Sequence, residues 1–149
     1  MRVLAATLAA FAVGLGSAAG AMATTESPGQ TVSRVVAARS AYGTILFDGR
    51  GFVLYAFTKD VPGHSACAGA CAKTWPPYLV TGKLAAGNGV APNRLGTIRR
   101  RDGSRQATYA GRPLYYYVRD RKPGQILCQN ISEFGGLWLV VRPSGAVVR

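Results

Sequence analysis

The residues of this chain with the clearest capacity for chemistry are three cysteines, Cys67, Cys71 and Cys128, and a single histidine, His64. Cys67 and Cys71 stand four positions apart. That is neither the Cys-x-x-Cys-His of a c-type haem nor the two-residue spacing of a thioredoxin-like pair. A zinc site would need all three cysteines together with His64, which runs against the tendency of exported cysteines to be oxidised to disulfides. With one His and six acidic residues, general acid/base chemistry has few candidates. There is no Ser-His-Asp set, no carboxylate pair at a useful spacing and no phosphate loop. The expectation is a non-enzyme with no metal and no cofactor, and a redox- or metal-related role through Cys67, Cys71 and Cys128 is kept as an alternative.

A second set of residues is set apart by repetition. Leu54-Tyr55-Ala56-Phe57-Thr58-Lys59-Asp60 recurs as Leu114-Tyr115-Tyr116-Tyr117-Val118-Arg119-Asp120, and each copy runs into Pro-Gly, at Pro62-Gly63 and Pro123-Gly124. Self-similarity of this kind points to one small unit used twice. Side chains alternate along a strand, so Val53, Tyr55 and Phe57 share one face and Leu54, Ala56 and Thr58 the other. In the second copy Tyr115 and Tyr117 share one face, and Leu114 and Tyr116 the other. Apolar groups on both faces predict strands covered on both sides. Asp60, just past its strand, is placed to accept hydrogen bonds from N–H groups of its own turn or from the Tyr hydroxyl of the other repeat. A buried Tyr hydroxyl needs a partner in any case, so the motif reads as a structural lock in preference to a ligand-binding Tyr/Asp pair.

Around these copies the 149 residues, 48% of them hydrophobic, suit one globular domain with appendages. Met1-Arg2, the acid-free apolar run Val3 to Leu15 and the ending Ala21-Met22-Ala23 have the layout of a secretory signal peptide over residues 1–23. Its apolar run is short for a membrane span. Residues 24–31 are a polar, Pro/Gly-bearing spacer, and 32–149 is expected as a single β domain with repeats at about 42–80 and 105–142. The formal charge is +12, or +11 once Arg2 is removed (17 basic minus 6 acidic residues). Such a balance favours polyanions at long range, although most of these arginines read as solvated side chains. Arg99, Arg100, Arg101 and Arg105 alone are dense enough for a basic patch. Weak, sequence-blind polyanion binding is the third functional reading, with anionic envelope polymers as partners and no specific nucleic-acid recognition.

The elements needed to position these residues are short strands broken by glycine turns. Val32 to Ala38 and Gly43 to Asp48 read as strands, Gly49-Arg50-Gly51 as a hairpin turn and Phe52 to Thr58 as the returning strand. Ser65 is a fair N-cap for one short Ala-rich helix near Cys67, ended by Pro76-Pro77. Val80 to Val90 reads as a surface loop. Leu95–Arg100 and Arg105–Ala110 flank Asp102-Gly103 as a second hairpin, followed by strands at Leu114–Val118 and Leu137–Val141 and a closing Ala146–Val148. Trp75 and Trp138 are expected as matching core residues. The fold class that results is mainly β, a small sandwich or barrel-like domain of two pseudo-equivalent hairpin repeats.

Three blocks carry a resemblance: the doubled Tyr-x-aromatic-x-x-Asp, the Ser65-x-Cys67-x-x-x-Cys71-x-x-x-Trp75-Pro76-Pro77 run, and Arg100-x-Asp102-Gly103-x-x-Gln106-x-Thr108-Tyr109-x-Gly111-x-Pro113-Leu114-Tyr115. Together, from about Tyr42 to Gly145, they resemble a bacterial family of secreted repeats, the predicted lipoproteins with a Y-x-(FWY)-x-x-D motif. The chain departs from that pattern in lacking a lipobox Cys and in having Gly124-Gln125-Ile126-Leu127-Cys128-Gln129 after the second Asp. The resemblance implies an exported or envelope-associated domain of unassigned role. It also implies a Cys67–Cys71 disulfide, whereas loop entropy alone favours linking Cys71 to Cys128, at about 4 against about 2 kcal/mol. Cys128 is then free or available to link two copies. The leading functional expectation is an exported, non-enzymatic structural or binding module in the periplasm, on the envelope exterior or secreted.

Overall fold

The computed structural model describes residues 31–149. The expected leader, and the expected spacer except Thr31, lie outside the described residues. The architecture is mainly β, in three small three-stranded sheets that do not close into a barrel. In the first, β1 (Val32–Ser40) lies between β2 (Gly43–Asp48), antiparallel to it, and β4 (Lys83–Ala86), parallel to it. The second orders β3 (Tyr55–Phe57), β9 (Gly136–Val140) and β8 (Ile131–Glu133), all antiparallel. The third is the hairpin β5 (Leu95–Arg99) and β6 (Arg105–Tyr109), with β7 (Arg112–Pro113) beside it. One short helix, α1, spans Ala70–Thr74, and a 3₁₀ turn spans Pro92–Arg94.

The two-faced alternation sorts the interior into two clusters. Val53, Tyr55, Phe57 and Tyr115 pack with Trp75 and Trp138 on one side. Leu54, Ala56 and Leu114 pack with Tyr78, Tyr109 and Val141 on the other. Tyr55 and Tyr115 face one another across an antiparallel bridge, exchanging both backbone hydrogen bonds at 2.9 Å. This is the point about which the two repeats are related. Each aromatic strand pairs with the Trp segment of the other repeat: β3 runs against Trp138–Val140 in β9, and Leu114–Val118 runs against Thr74–Tyr78.

Four expectations need correction. Leu114–Val118 is extended but forms no regular strand, since its partner contains Pro76 and Pro77, which have no N–H to donate. Only the bonds from Tyr78 N to Leu114 O, Tyr116 N to Pro76 O and Val118 N to Thr74 O remain, at 2.8 to 3.0 Å. The loop expected over Val80–Val90 contains β4. Lys-Leu-Ala-Ala is a poor strand sequence, but at Gly82 any Cβ would meet the Thr31 carbonyl oxygen at 2.0 Å, so the glycine lets the chain close onto β1. The helix starts at Ala70 without Ser65 as its cap, because Gly69 at φ 57° turns the backbone just before it. Finally, β8 is an element that the sequence reading does not contain.

Candidate functional site

Each repeated Tyr-x-aromatic-x-x-Asp motif ends in a Pro-Gly corner, and the two corners hold one another's tyrosines. Tyr55 Oη donates to Asp120 Oδ2 at 2.7 Å, and Tyr115 Oη donates to Asp60 Oδ2 at 2.7 Å. The second oxygen of each carboxylate ties down its own corner: Asp60 Oδ1 accepts from the N–H of Ala66 at 2.7 Å, and Asp120 Oδ1 from that of Leu127 at 3.0 Å. Both corners turn through Pro-Gly with an i to i+3 bond, His64 N to Val61 O and Gln125 N to Lys122 O. Gly63 at φ 82° and Gly124 at φ 76° adopt the left-handed conformation that a type II turn requires at this place. The repeated Tyr and Asp thus join the two repeats through one carboxylate oxygen of each Asp and brace each corner through the other.

Burial raises the proton affinity of all four groups. It lifts Asp60 and Asp120 above the usual carboxylate range, and lifts the Tyr55 and Tyr115 phenols well above theirs. Between the hooks lies a stack of four rings drawn alternately from the two repeats. Phe57 stacks on Trp138 at 4.2 Å, Trp138 on Trp75 at 4.0 Å, and Trp75 meets Tyr117 at 4.7 Å. Tyr55 and Tyr115 present their edges to Trp75 and Trp138 respectively. Both Trp residues are fully buried, as the sequence reading expects. Trp75 Nε1 donates to Glu133 Oε2 at 2.9 Å, whereas the buried Trp138 Nε1 has no partner among the described residues.

The structure joins Cys67 to Cys71, with Cα atoms 5.2 Å apart, inside the ordinary disulfide range. Two helical positions four apart would hold their Cβ atoms about 5 to 6 Å apart, too far for a disulfide, but Cys67 precedes Gly69 and lies outside α1. Cys128 is buried and unpaired. It occupies in the second corner the place of Cys67 in the first, directly after the residue whose N–H binds the motif carboxylate. Burial pushes its thiol up, so an intermolecular disulfide requires the corner to open. No group of three or more metal-ligating side chains exists among the described residues, and no helix among them is long and apolar enough to cross a membrane.

Of the basic residues expected as one patch, Arg99 and Arg105 are direct partners across the β5–β6 pair, while Arg100 turns inward. Arg99 and Arg101 border a cleft of about 490 Å³ between the first corner and the β5–β6 hairpin tip, together with Lys59, His64 and Asp102. Arg100 points inward at the base of the same cleft, donating to Ser65 Oγ at 2.9 Å, the Cys67 carbonyl at 2.7 Å and Gln106 Oε1 at 2.5 Å. Arg105 lines a separate groove with Lys83, yet it is the direct cross-strand partner of Arg99 and so stands beside it on one face of the hairpin.

Several residues hold the site together in roles that the sequence reading does not give them. The fully buried Gln106 bridges Arg100 to the Leu114 carbonyl. Ser65 binds the Tyr115 hydroxyl at 2.7 Å. Asp48 is a third carboxylate hook, accepting from Tyr116 Oη at 3.0 Å and pairing with Arg50 at 2.9 Å. An Asp at the end of a strand before Gly-Arg-Gly is the available clue, but it reads as an ordinary turn residue.

A family model described as a secreted repeat of unknown function matches residues 36–78 and again 96–142. The chain belongs to that family. Each matched segment contributes one aromatic strand, one carboxylate hook and one of the stacked Trp residues. No curated protein matches the chain, and no solved structure matches it.

Proposed function

We propose that this chain is an exported, non-enzymatic module of the cell envelope or extracellular space, working as a rigid binding or structural unit. The observation that carries this reading is the reciprocal Tyr–Asp hook. The Tyr55 and Tyr115 hydroxyls hold the repeats together through one oxygen of each carboxylate while the other oxygen holds its own corner, so the motif builds the domain and leaves its corners to meet partners. A nucleophile or base would instead need an unshared lone pair facing a substrate. The family description, a secreted repeat, supports the location.

The test is fractionation and retention. The chain is expected to leave the cytosol and, when purified, to bind isolated envelope preparations saturably at physiological salt without altering them. Recovery from the cytosol, or chemical turnover of envelope material on incubation, overturns the reading.

A further inference from the structure

We infer that the cleft between the first corner and the β5–β6 hairpin tip binds a polymer of phosphate groups lacking stacking bases, such as a polyol phosphate chain; this rests on the reading of the chain as a binding module. The cleft is bordered from one side by Lys59 and His64 and from the other by Arg99 and Arg101. All four are exposed. The only ion pair among the described residues is Arg50–Asp48, so the cleft cations have no carboxylate within 4.0 Å. Lys59, Arg99, Arg100 and Arg101 against Asp102 leave a formal +3 (4 minus 1) around about 490 Å³. Asp102 is already engaged by the N–H and hydroxyl of Ser104.

The arrangement is held in place from below. Arg100 fixes the hairpin to the first corner through Ser65, Cys67 and Gln106, and the Cys67–Cys71 disulfide fixes the loop that receives it. The backbone that carries the cations is thereby fixed, so the ordering left to do at binding falls on their side chains alone. Cations gathered from two segments of the chain suit a tetrahedral oxyanion, whose oxygens point in several directions, better than a planar carboxylate, which a single guanidinium fork satisfies. No Phe, Tyr or Trp ring borders the cleft, and the single imidazole of His64 offers no run of rings such as single-stranded nucleic acid generally uses to stack successive bases.

The test uses the secreted chain with linear polyphosphate, polygalacturonate and oligo-dT as probes, at 50 and 200 mM salt. Polyphosphate is expected to bind most tightly, with affinity falling steeply as salt rises. The exposed triple substitution K59A/R99A/R101A is expected to weaken it roughly 30-fold and to flatten the log–log salt slope by about 2, as loss of three phosphate contacts implies. The control triple R39A/R121A/K122A, equally exposed but outside the cleft, is expected to stay within about 2-fold by the same reasoning, with thermal melts confirming that both triples fold. Equal losses in the two triples, tighter binding of oligo-dT or polygalacturonate, or no polyphosphate binding at 50 mM salt each overturn the inference. If envelope retention survives that outcome, the proposed function stands and only the cleft's role falls.

Discussion

The two corners of this molecule perform the same mechanical task with different hardware. At the first, Asp60 receives Tyr115 while the loop behind it is crosslinked by Cys67–Cys71 and clamped by Arg100. At the second, Asp120 receives Tyr55 with the lone thiol of Cys128 where Cys67 would be, and no crosslink. Because the uncrosslinked corner forms the same hook at the same 2.7 Å, the Tyr–Asp contact and the Trp stack define the fold. The disulfide is an addition to one half. What it adds is rigidity at the corner that carries the basic cleft.

The comparison breaks most violently if the shared core is removed. Tyr55 and Tyr115 are fully buried, so Tyr55→Ala and Tyr115→Ala are each expected to cost about 3 to 5 kcal/mol, as large-to-small core substitutions do. Denaturant unfolding of the purified variants measures it. Losses below about 1 kcal/mol, typical of surface positions, would show that the hooks are not part of the core.

Removing only the hydroxyls separates the corners. Tyr55→Phe and Tyr115→Phe each leave a buried carboxylate short of a donor, and bonds to charged groups are worth about 1.5 to 3 kcal/mol. Asp60 retains the field of Arg100, whereas no cation supports Asp120. Tyr55→Phe is therefore expected at the upper end of that range and Tyr115→Phe at the lower. The reverse order in matched denaturant melts would mean that the crosslinked corner, not the free one, depends more on its hook.

Opening the disulfide sharpens the same contrast. Cys67→Ser with Cys71→Ser removes a ring whose closure is worth about 2 kcal/mol on the loop-entropy account. The loss is expected to be confined to the first corner: amide exchange should quicken across Val61–Gly69 while Arg121–Gln129 keeps its protection. Equal loosening of both corners would show that the crosslink supports the whole core.

How much of this was legible in the sequence depends on whether an element is made by local pattern or by distant contact. The doubled motif, the two-faced strands, the buried Trp pair and the hairpin at Asp102-Gly103 all follow from alternation and turn chemistry, which act over a few residues. From sequence, Asp60 is an acceptor for a turn N–H or for a tyrosine of the other repeat, and it takes both. By contrast, β4 exists because Gly82 lets a poor strand sequence lie against Thr31, a contact fifty residues away. The loss of regularity at Leu114–Val118 is dictated by the prolines of its partner, not by its own residues. Adjacency in sequence groups Arg99, Arg101 and Arg105 at one hairpin, where Arg99 and Arg105 are partners, while Lys59 and His64 reach the cleft only through the fold.

The smallest expected effect tests whether the phenols are as protected as the hooks require. Burial, followed by the adjoining carboxylates, raises the proton affinity of Tyr55, Tyr115 and Tyr116 in the folded chain. An unfolded tyrosine ionises near pH 10, so above that pH the unfolded chain binds fewer protons than the folded one, and stability falls as pH rises. The contribution is fully present below pH 10 and is lost progressively above it, up to the folded value. One unit above the unfolded pKa, each such tyrosine forfeits about 1.4 kcal/mol. Denaturant midpoints measured at pH 9 and pH 11 are expected to drop for the native chain and to drop less for Tyr55→Phe, by about one tyrosine's share. If the native chain and Tyr55→Phe lose the same stability between the two pH values, the Tyr55 phenol ionises as freely folded as unfolded, and the second corner's hook is open to solvent.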